Sequence, residues 1–270
     1  AYLHPSCHLD KAMDCIFTSK TFDNGTICAS EQSIICDAVI AADVKREVIA
    51  QGGFFLEGDD LKKVKAIMER GNGSMNPAIV GRDAQTVAKI AGITIPEGTR
   101  LLVSDEPGVG PKYPFSKEKL TSLIGFYVVN DWKEACELCH SLLHNCGIGH
   151  TLAIHSHNED IIREFGLKKP VSRIVVNTPS THGGVGLSTG LFPSFTLGCG
   201  AVGGSATSDN VNPMHLLNIR YVAYDLGNTP VAAPAAPKHT CSCGGNCGGH
   251  GSVDINALTS MIVAELKKVM

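Results

Sequence analysis

The sequence predicts an α/β protein with a mainly parallel sheet and flanking helices. Short apolar segments rich in β-branched residues alternate with amphipathic helical patterns over about the first 225 of the 270 residues. Alternation at this spacing is typical of right-handed βαβ units. Hydrophobic residues make up 43% of the chain, which is enough to bury a core between a sheet and its helices.

The predicted elements follow one another in a regular order. Apolar periodicity and turn residues predict strands at 33–40, 100–104, 123–129, 150–156, 172–177 and 218–224. Helical patterns occupy 43–52, 58–71, 83–92, 131–145 and 158–166. Asp59 or Asp60 is expected to cap the helix at 58–71, and Gly166 is expected to end the last helix.

The composition excludes several classes of protein. No apolar run approaches the roughly 18 residues of a membrane span, and the N-terminus lacks the basic and apolar segments of a secretory signal. A net charge of −3 gives no basic footprint for nucleic acid. Eleven cysteines without an export signal indicate reduced thiols in a cytosolic compartment. We therefore expect a cytoplasmic protein that binds neither membrane nor nucleic acid.

The character of the chain changes after about residue 225. Proline, alanine, glycine and cysteine dominate residues 226–253, which predicts an extended linker. Apolar residues then recur at helical spacing over 254–270, which predicts one amphipathic helix. The sequence therefore divides into a domain of residues 1–225, a linker and a terminal helix.

Two cysteine motifs bear on haem and metal chemistry. Cys136, Cys139 and His140 fit the C-x-x-C-H pattern of haem attachment, but the motif lies inside a predicted helix, where packing explains it better. The C-x-C-x-x-x-C motif at 241–247 lacks a standard structural-zinc spacing, although a thiol-rich segment can bind a soft metal ion. We expect no metal site.

Cys28 is the strongest candidate for a reactive residue. It lies before the strand predicted at 33–40, among small and turn-forming residues that include Asn24 and Gly25. A thiol in such a turn is partly exposed, and nearby backbone N–H groups can lower its pKa and bind a developing oxyanion. A structural cysteine explains the same pattern, so composition and spacing leave both roles open.

Five segments of the chain resemble the aldehyde dehydrogenase superfamily, in its CoA-acylating branch of acetaldehyde and propionaldehyde dehydrogenases. KTFDNGTICASEQSII is similar to the nucleophile segment of that family. The other four follow in the family's order and are PFSKEKLTSLIGFYVVNDWKEACEL, GIGHTLAIHS, SRIVVNTPSTHGGVG and FPSFTLGCGAVGGSATSDNVNPMHLLNIRYVAY. Because all five agree in sequence, order and spacing over about residues 15–225, the chain is identified as the catalytic portion of such an enzyme.

The resemblance implies a mechanism and a set of site residues. Cys28 would attack a short-chain aldehyde, NAD would accept a hydride, and coenzyme A would take the acyl group from the Cys28 thioester. Glu118 aligns with a glutamate that holds the nicotinamide ribose. His150 matches a histidine that serves as a base or positioning group, although a structural hydrogen bond at a strand start also explains it. Phe195 and Thr196 would line the aldehyde pocket.

The resemblance also implies what this chain lacks. Enzymes of this type carry an N-terminal Rossmann-type domain, which supplies most contacts with NAD and CoA and an oxyanion-hole asparagine. That domain is expected to be missing before Ala1, so we expect residues 1–270 alone to be inactive or nearly so. The strand at 218–224 would be an oligomerisation strand, which predicts a homo-oligomer.

The terminal helix at 254–270 resembles an encapsulation peptide, a segment that directs cargo enzymes into bacterial microcompartments. This resemblance implies a shell protein as partner and the microcompartment lumen of a bacterial cytoplasm as the location. An apolar helical stripe needs a partner surface, and docking on its own domain or subunit is the alternative.

Alternative functions are a hydrolytic aldehyde dehydrogenase fragment, a non-catalytic cargo or assembly module, and metal or redox sensing by the cysteine-rich tail. The segment TFDNGTICASEQ looks unlike the nucleophile segment of the hydrolytic branch. An intact Cys28 segment argues against the cargo or assembly module.

Overall fold

A computed structural model describes residues 1–71 and 73–227. Its strands are β1 (Tyr2–Leu3), β2 (Ser33–Asp37), β3 (Gly53–Phe55), β4 (Leu101–Asp105), β5 (Leu123–Val129), β6 (Gly149–His155) and β7 (Val171–Val176). Within the described ranges these strands form one sheet in the order β3-β4-β5-β2-β1-β6-β7. Every pair of neighbours is parallel, which confirms the predicted fold class.

Helices connect the strands and cover the sheet. They are α1 (Leu9–Thr21), α2 (Ala41–Ala50), α3 (Gly58–Met68), α4 (Ala84–Ala91), α5 (Trp132–Asn145), α6 (Glu159–Lys168) and α7 (Ser180–Gly184). Short 3-10 turns lie at Phe22–Gly25, Pro114–Ser116, Ala201–Gly203 and Pro213–Leu216.

Side chains of the sheet alternate between two faces, and each face has its own core. On one face, Leu3, Ile34 and Phe126 pack with residues of α1 and α2. On the opposite face, Ile35 and Tyr127 pack with residues of α5 and α6, and a further cluster joins α3 and α4 to β4 and β5. Burying one large apolar side chain contributes about 1.5–3 kcal/mol, so this alternation fixes the register of each strand.

Most of the predicted elements that lie among the described residues are present. The helix predicted at 83–92 is α4, and Asp83 caps it by accepting a hydrogen bond from the Thr86 amide at 2.7 Å. Asp131 and Asn158 cap α5 and α6 in the same way. The strand β5 has the predicted bounds, because an apolar run between polar turns leaves no other pairing segment.

Two predictions about helix ends are wrong. Gly166 lies inside α6, which continues to Lys168, because a glycine costs a helix only about 1 kcal/mol and does not by itself break it. The N-cap of α3 is Glu57, with no side-chain capping bond, so Asp59 and Asp60 lie in the first turn. Their carboxylates stabilise the helix by interacting with the positive end of its dipole, and they do not cap it.

Two elements end earlier than predicted. The helix α3 ends before Glu69, which pairs with Met75 in an antiparallel bridge. The strand predicted over 33–40 ends at Asp37, because the Ile40 amide donates to the Asp37 carbonyl at 3.0 Å and turns the chain.

The last described residues carry no regular element. Residues Ala1–Asn218 form one compact unit, and a second unit begins at Ile219. The structure assigns no strand within 218–224, where the sequence predicts one, so pairing of this segment with a second copy stays a prediction. Nearly all of the predicted linker at 226–253, and the whole terminal helix at 254–270, lie outside the described residues. Among the residues that are described, no helix has the length and apolarity to cross a membrane.

Candidate active site

Cys28 is presented by a tight turn between α1 and β2. Two consecutive residues, Asp23 and Asn24, have φ angles of 48° and 50°, in the left-handed region. Gly25 follows with φ +78°, and a Cβ atom there would lie 2.6 Å from the Thr121 carbonyl oxygen. Only glycine fits so close to the neighbouring backbone. The turn leaves the Cys28 side chain exposed.

Cys28, Glu118 and His150 line one cavity of about 190 Å³. These three residues are predicted from separate segments of the sequence, and the fold brings them together. Cys28 precedes β2, Glu118 precedes β5, and His150 is the second residue of β6. The cavity thus lies at the amino-terminal ends of the strands, whereas open parallel sheets usually bind ligands at the carboxyl ends.

The environment of Cys28 favours the neutral thiol. Surrounding protein atoms remove water from part of the side chain and raise the pKa of Cys28, and the negative charge of Glu118 raises it further. Hydrogen bonds from the backbone amides of Cys28 and Ala29 act in the opposite direction. Formation of a nucleophilic thiolate at this position therefore needs a base that accepts the proton of the thiol.

His150 has the properties of such a base. Burial lowers the pKa of His150, and the positive charge of Arg173 lowers it further. A neutral imidazole can accept a proton, and the Nδ1 atom lies 2.9 Å from the Thr151 hydroxyl oxygen. The guanidinium of Arg173 also donates to the carbonyls of Gly198 and Ser208, at 2.6 and 2.9 Å. Arg173, on β7, thereby holds the segment of residues 198–208 next to β6, the strand that carries His150.

Two buried lysines and a glutamine join the Cys28 turn to the Glu118 segment. The ammonium of Lys20 donates to the Lys119 carbonyl at 2.8 Å and lies 3.4 Å from Gln32 Oε1. The same Gln32 oxygen accepts the Lys119 amide at 2.7 Å. Burial lowers the pKa of Lys20 to about 7 and that of Lys119 well below its usual range. Both lysines still counter the effect of burial, which raises the pKa of Glu118.

Glu31 is a further ionisable residue in the cavity wall, and the sequence does not single it out. It is 3% exposed, and its Oε1 atom accepts the Ser180 amide at 3.0 Å. Its Oε2 atom is buried without a hydrogen-bond partner among the described residues. Burial raises the pKa of Glu31. Its position three residues after Cys28 gives no sequence signal, whereas Arg173 could have been noticed as a charge within an apolar strand.

Phe195 and Thr196 do not line the Cys28 cavity. Phe195 is 84% exposed and lines a second, apolar cavity of about 370 Å³, to which Ile27, the neighbour of Cys28, also contributes. The Thr196 side chain is exposed, and its backbone amide donates a hydrogen bond to the Ser194 hydroxyl oxygen at 3.0 Å. Their role in an aldehyde pocket stays a prediction.

We expect the substitution Glu118→Gln to accelerate alkylation of Cys28 by iodoacetamide at pH 8. Removing the negative charge lowers the pKa of Cys28, so a larger fraction is thiolate, and the rate should rise about two- to fivefold. Peptide mass spectrometry at several pH values measures the rate at this residue. Glu137→Gln, an exposed glutamate on α5, serves as the control and should leave the rate unchanged. A slower reaction in Glu118→Gln would contradict the assigned electrostatics.

Comparison with known proteins finds aldehyde dehydrogenases among both solved structures and curated sequences. No protein-family model matches the sequence. An acetylating aldehyde dehydrogenase from Geobacillus thermoglucosidasius is 46% identical, with a TM-score of 0.82 over 86% of this chain and 51% of its own. A probable aldehyde dehydrogenase from Listeria monocytogenes is 48% identical, with a TM-score of 0.80 over 83% of this chain and 50% of its own.

A curated relative is also an aldehyde dehydrogenase in part. The bifunctional aldehyde-alcohol dehydrogenase of Escherichia coli strain K12 is 38% identical over 220 residues, which are 80% of this chain. The chain spans about 25% of the length of that relative and about half of the two solved chains. By sequence and by fold, the chain is similar to one part of these longer aldehyde dehydrogenases, of which the Geobacillus enzyme is an acetylating one.

Proposed function

We propose that this chain carries the catalytic cysteine of a CoA-acylating aldehyde dehydrogenase that oxidises a short-chain aldehyde with NAD. The observation that supports the proposal most directly is the shared cavity of Cys28, Glu118 and His150. A thiol, a neutral imidazole and a carboxylate in one cavity supply a nucleophile, a proton acceptor and an anchor for hydroxyl groups.

Each residue has a defined task in this proposal. His150 accepts the thiol proton, and the Cys28 thiolate attacks the aldehyde carbon to form a thiohemiacetal. The backbone amides of Cys28 and Ala29, which already lie against the thiol, stabilise negative charge that develops there. After hydride loss, Cys28 carries an acyl thioester, and the CoA thiol takes the acyl group as the Cys28 thiolate leaves.

The Glu118 carboxylate fits the role of cofactor anchor. It faces the cavity and accepts no hydrogen bond from the described residues, so both oxygens remain available to the hydroxyl groups of a ribose. NAD, when bound, supplies the acceptor for the hydride.

We extend the proposal to partners and location. A homo-oligomer is supported by the predicted strand at 218–224, and a shell protein and a microcompartment lumen by the amphipathic pattern of 254–270. The first segment has no strand in this single chain, and the second lies outside the described residues.

An assay of products tests the proposed reaction. The polypeptide encoded by the complete reading frame around these residues is incubated with acetaldehyde, NAD and CoA, in parallel with residues 1–270 alone. We expect the complete polypeptide to form NADH and acetyl-CoA, and residues 1–270 to show little turnover. Acetate as the main product, or no NADH from the complete polypeptide, would contradict the proposal.

A further inference from the structure

A cysteine and a lysine that do not line the Cys28 cavity are in unusually close contact. Cys136 lies on α5, and Lys169 directly follows α6. The Lys169 Nζ atom lies 2.7 Å from the Cys136 Sγ atom. Both residues are more than nine-tenths buried, with exposed fractions of 8% and 7%. The contact therefore forms inside the protein, between two residues that are 33 positions apart in sequence.

The partners of this lysine make the contact unusual. Within residues 1–71 and 73–227, the Lys169 ammonium forms no ion pair with a carboxylate, and the Cys136 sulfur is its only hydrogen-bond partner. The Phe165 ring lies beneath it, with the ring centroid 5.2 Å from Nζ. Burying an ammonium group without a carboxylate costs free energy, so the pair calls for an explanation beyond packing. Packing alone, which the sequence favours for Cys136, does not account for the lysine.

We propose that Cys136 and Lys169 form an oxidative modification site, at which hydrogen peroxide joins Sγ to Nζ through one bridging oxygen atom. The separation of 2.7 Å is short for an N–H···S hydrogen bond and is close to the span of two single bonds through one atom. No large movement of α5 or α6 is then needed to form the bridge. The inference is independent of the proposed function.

The reaction balances with two molecules of peroxide. The thiolate attacks the first peroxide and the O–O bond breaks. The Lys169 ammonium supplies one proton, so sulfenic acid, one water molecule and an uncharged amine are formed. The second peroxide removes one hydrogen from the sulfenic acid and one from the uncharged amine as the N–O bond forms, and it leaves as two water molecules. Sulfur and nitrogen together lose four electrons, and each peroxide gains two.

The bridge would constrain one wall of the Cys28 cavity. Cys139 and Leu143, which line that cavity, lie on α5 one and two turns after Cys136. The bridge would join this helix covalently to the residues that lead into β7. Because it closes a loop in the unfolded chain, we expect the oxidised protein to melt about 5–10 °C higher than the reduced protein.

Mass spectrometry of the oxidised chain tests the proposal. The chain is treated with hydrogen peroxide, freed of peroxide with catalase, alkylated, and digested with trypsin without reductant. We expect a joined peptide of residues 134–163 and 169–173, about 14 Da heavier than the sum of its parts, that dithiothreitol separates. Cys136→Ala and Lys169→Met should abolish this peptide.

Two neighbouring residues provide matched controls. Lys168→Arg removes the adjacent exposed amine but keeps the tryptic cleavage site, and Cys139→Ala removes the next buried cysteine on α5, so both variants should retain the joined peptide. Recovery of Cys136 as a free thiol or as sulfinic acid, with the Lys169 peptide unjoined, would overturn the proposal. A joined peptide about 2 Da lighter than its parts would contradict the bridging oxygen.

Discussion

Replacing Cys28 with serine is expected to reduce acyl transfer by at least about 10³-fold, because a hydroxyl is a far weaker nucleophile than a thiolate at neutral pH. Acetyl-CoA, incubated with the complete polypeptide in the absence of NAD, should transfer its acetyl group to Cys28 by the reverse of the last step. The adduct adds about 42 Da and is sensitive to hydroxylamine, as a thioester is. Intact-mass measurements over time give the rate.

Cys199 provides the matched control for this substitution. It is half-buried and contributes electrostatically to raising the pKa of Cys28, so it is a suitable second thiol for comparison. Cys199→Ser should retain acyl transfer at a similar rate. An acetyl adduct that forms equally fast in Cys28→Ser, or that maps to Cys199 in the unsubstituted protein, would remove Cys28 from the mechanism.

Replacing Gly149 with alanine is expected to destabilise the protein by about 2–4 kcal/mol. Gly149 has φ +81°, and a Cβ atom there would lie 2.2 Å from the Cys199 carbonyl oxygen and 2.8 Å from the Gly203 Cα. Both neighbours are backbone atoms, so the strand or the loop must move. Urea unfolding measures the loss of stability. Because His150 is the next residue, acyl transfer in the complete polypeptide should fall as well.

Gly204→Ala separates the steric clash from the backbone strain. Gly204 has a similar φ of +75°, but nothing lies within 4 Å of a Cβ atom there. Its substitution should cost only about 1–2 kcal/mol for the left-handed conformation. Equal losses in the two variants would show that contact with the 199–203 segment contributes little.

The fold class and the central strands could be predicted because their signals are local. An apolar run bounded by turns specifies β5, and a helix with an N-cap residue specifies α4. The strand β1 has no such signal, since two residues show no periodicity, and its pairing with Ile35 and Ile154 is supplied by the neighbouring strands. The helix α7, with five residues, is similarly defined by its surroundings.

The site could be predicted only where a motif carried it. Cys28, Glu118 and His150 each lie in a segment that resembles the family, and the fold places them in one cavity. Glu31 and Lys20 could not be found in this way, because burial of a charged residue depends on packing between distant segments rather than on its immediate neighbours. Phe195 lies in a segment that resembles the family but lines a different cavity, because a matching segment does not specify which cavity a side chain lines.

The amide of Gln32 connects the two halves of the site. Its oxygen accepts the Lys119 amide, and its nitrogen donates to the Ser30 carbonyl at 3.2 Å. One side chain outside the proposed chemistry thus sets the spacing between the Cys28 turn and the Glu118 segment. Under the proposed function, affinity for the cofactor and reactivity of the Cys28 thiol would therefore be coupled, and a substitution of Gln32 would alter both together.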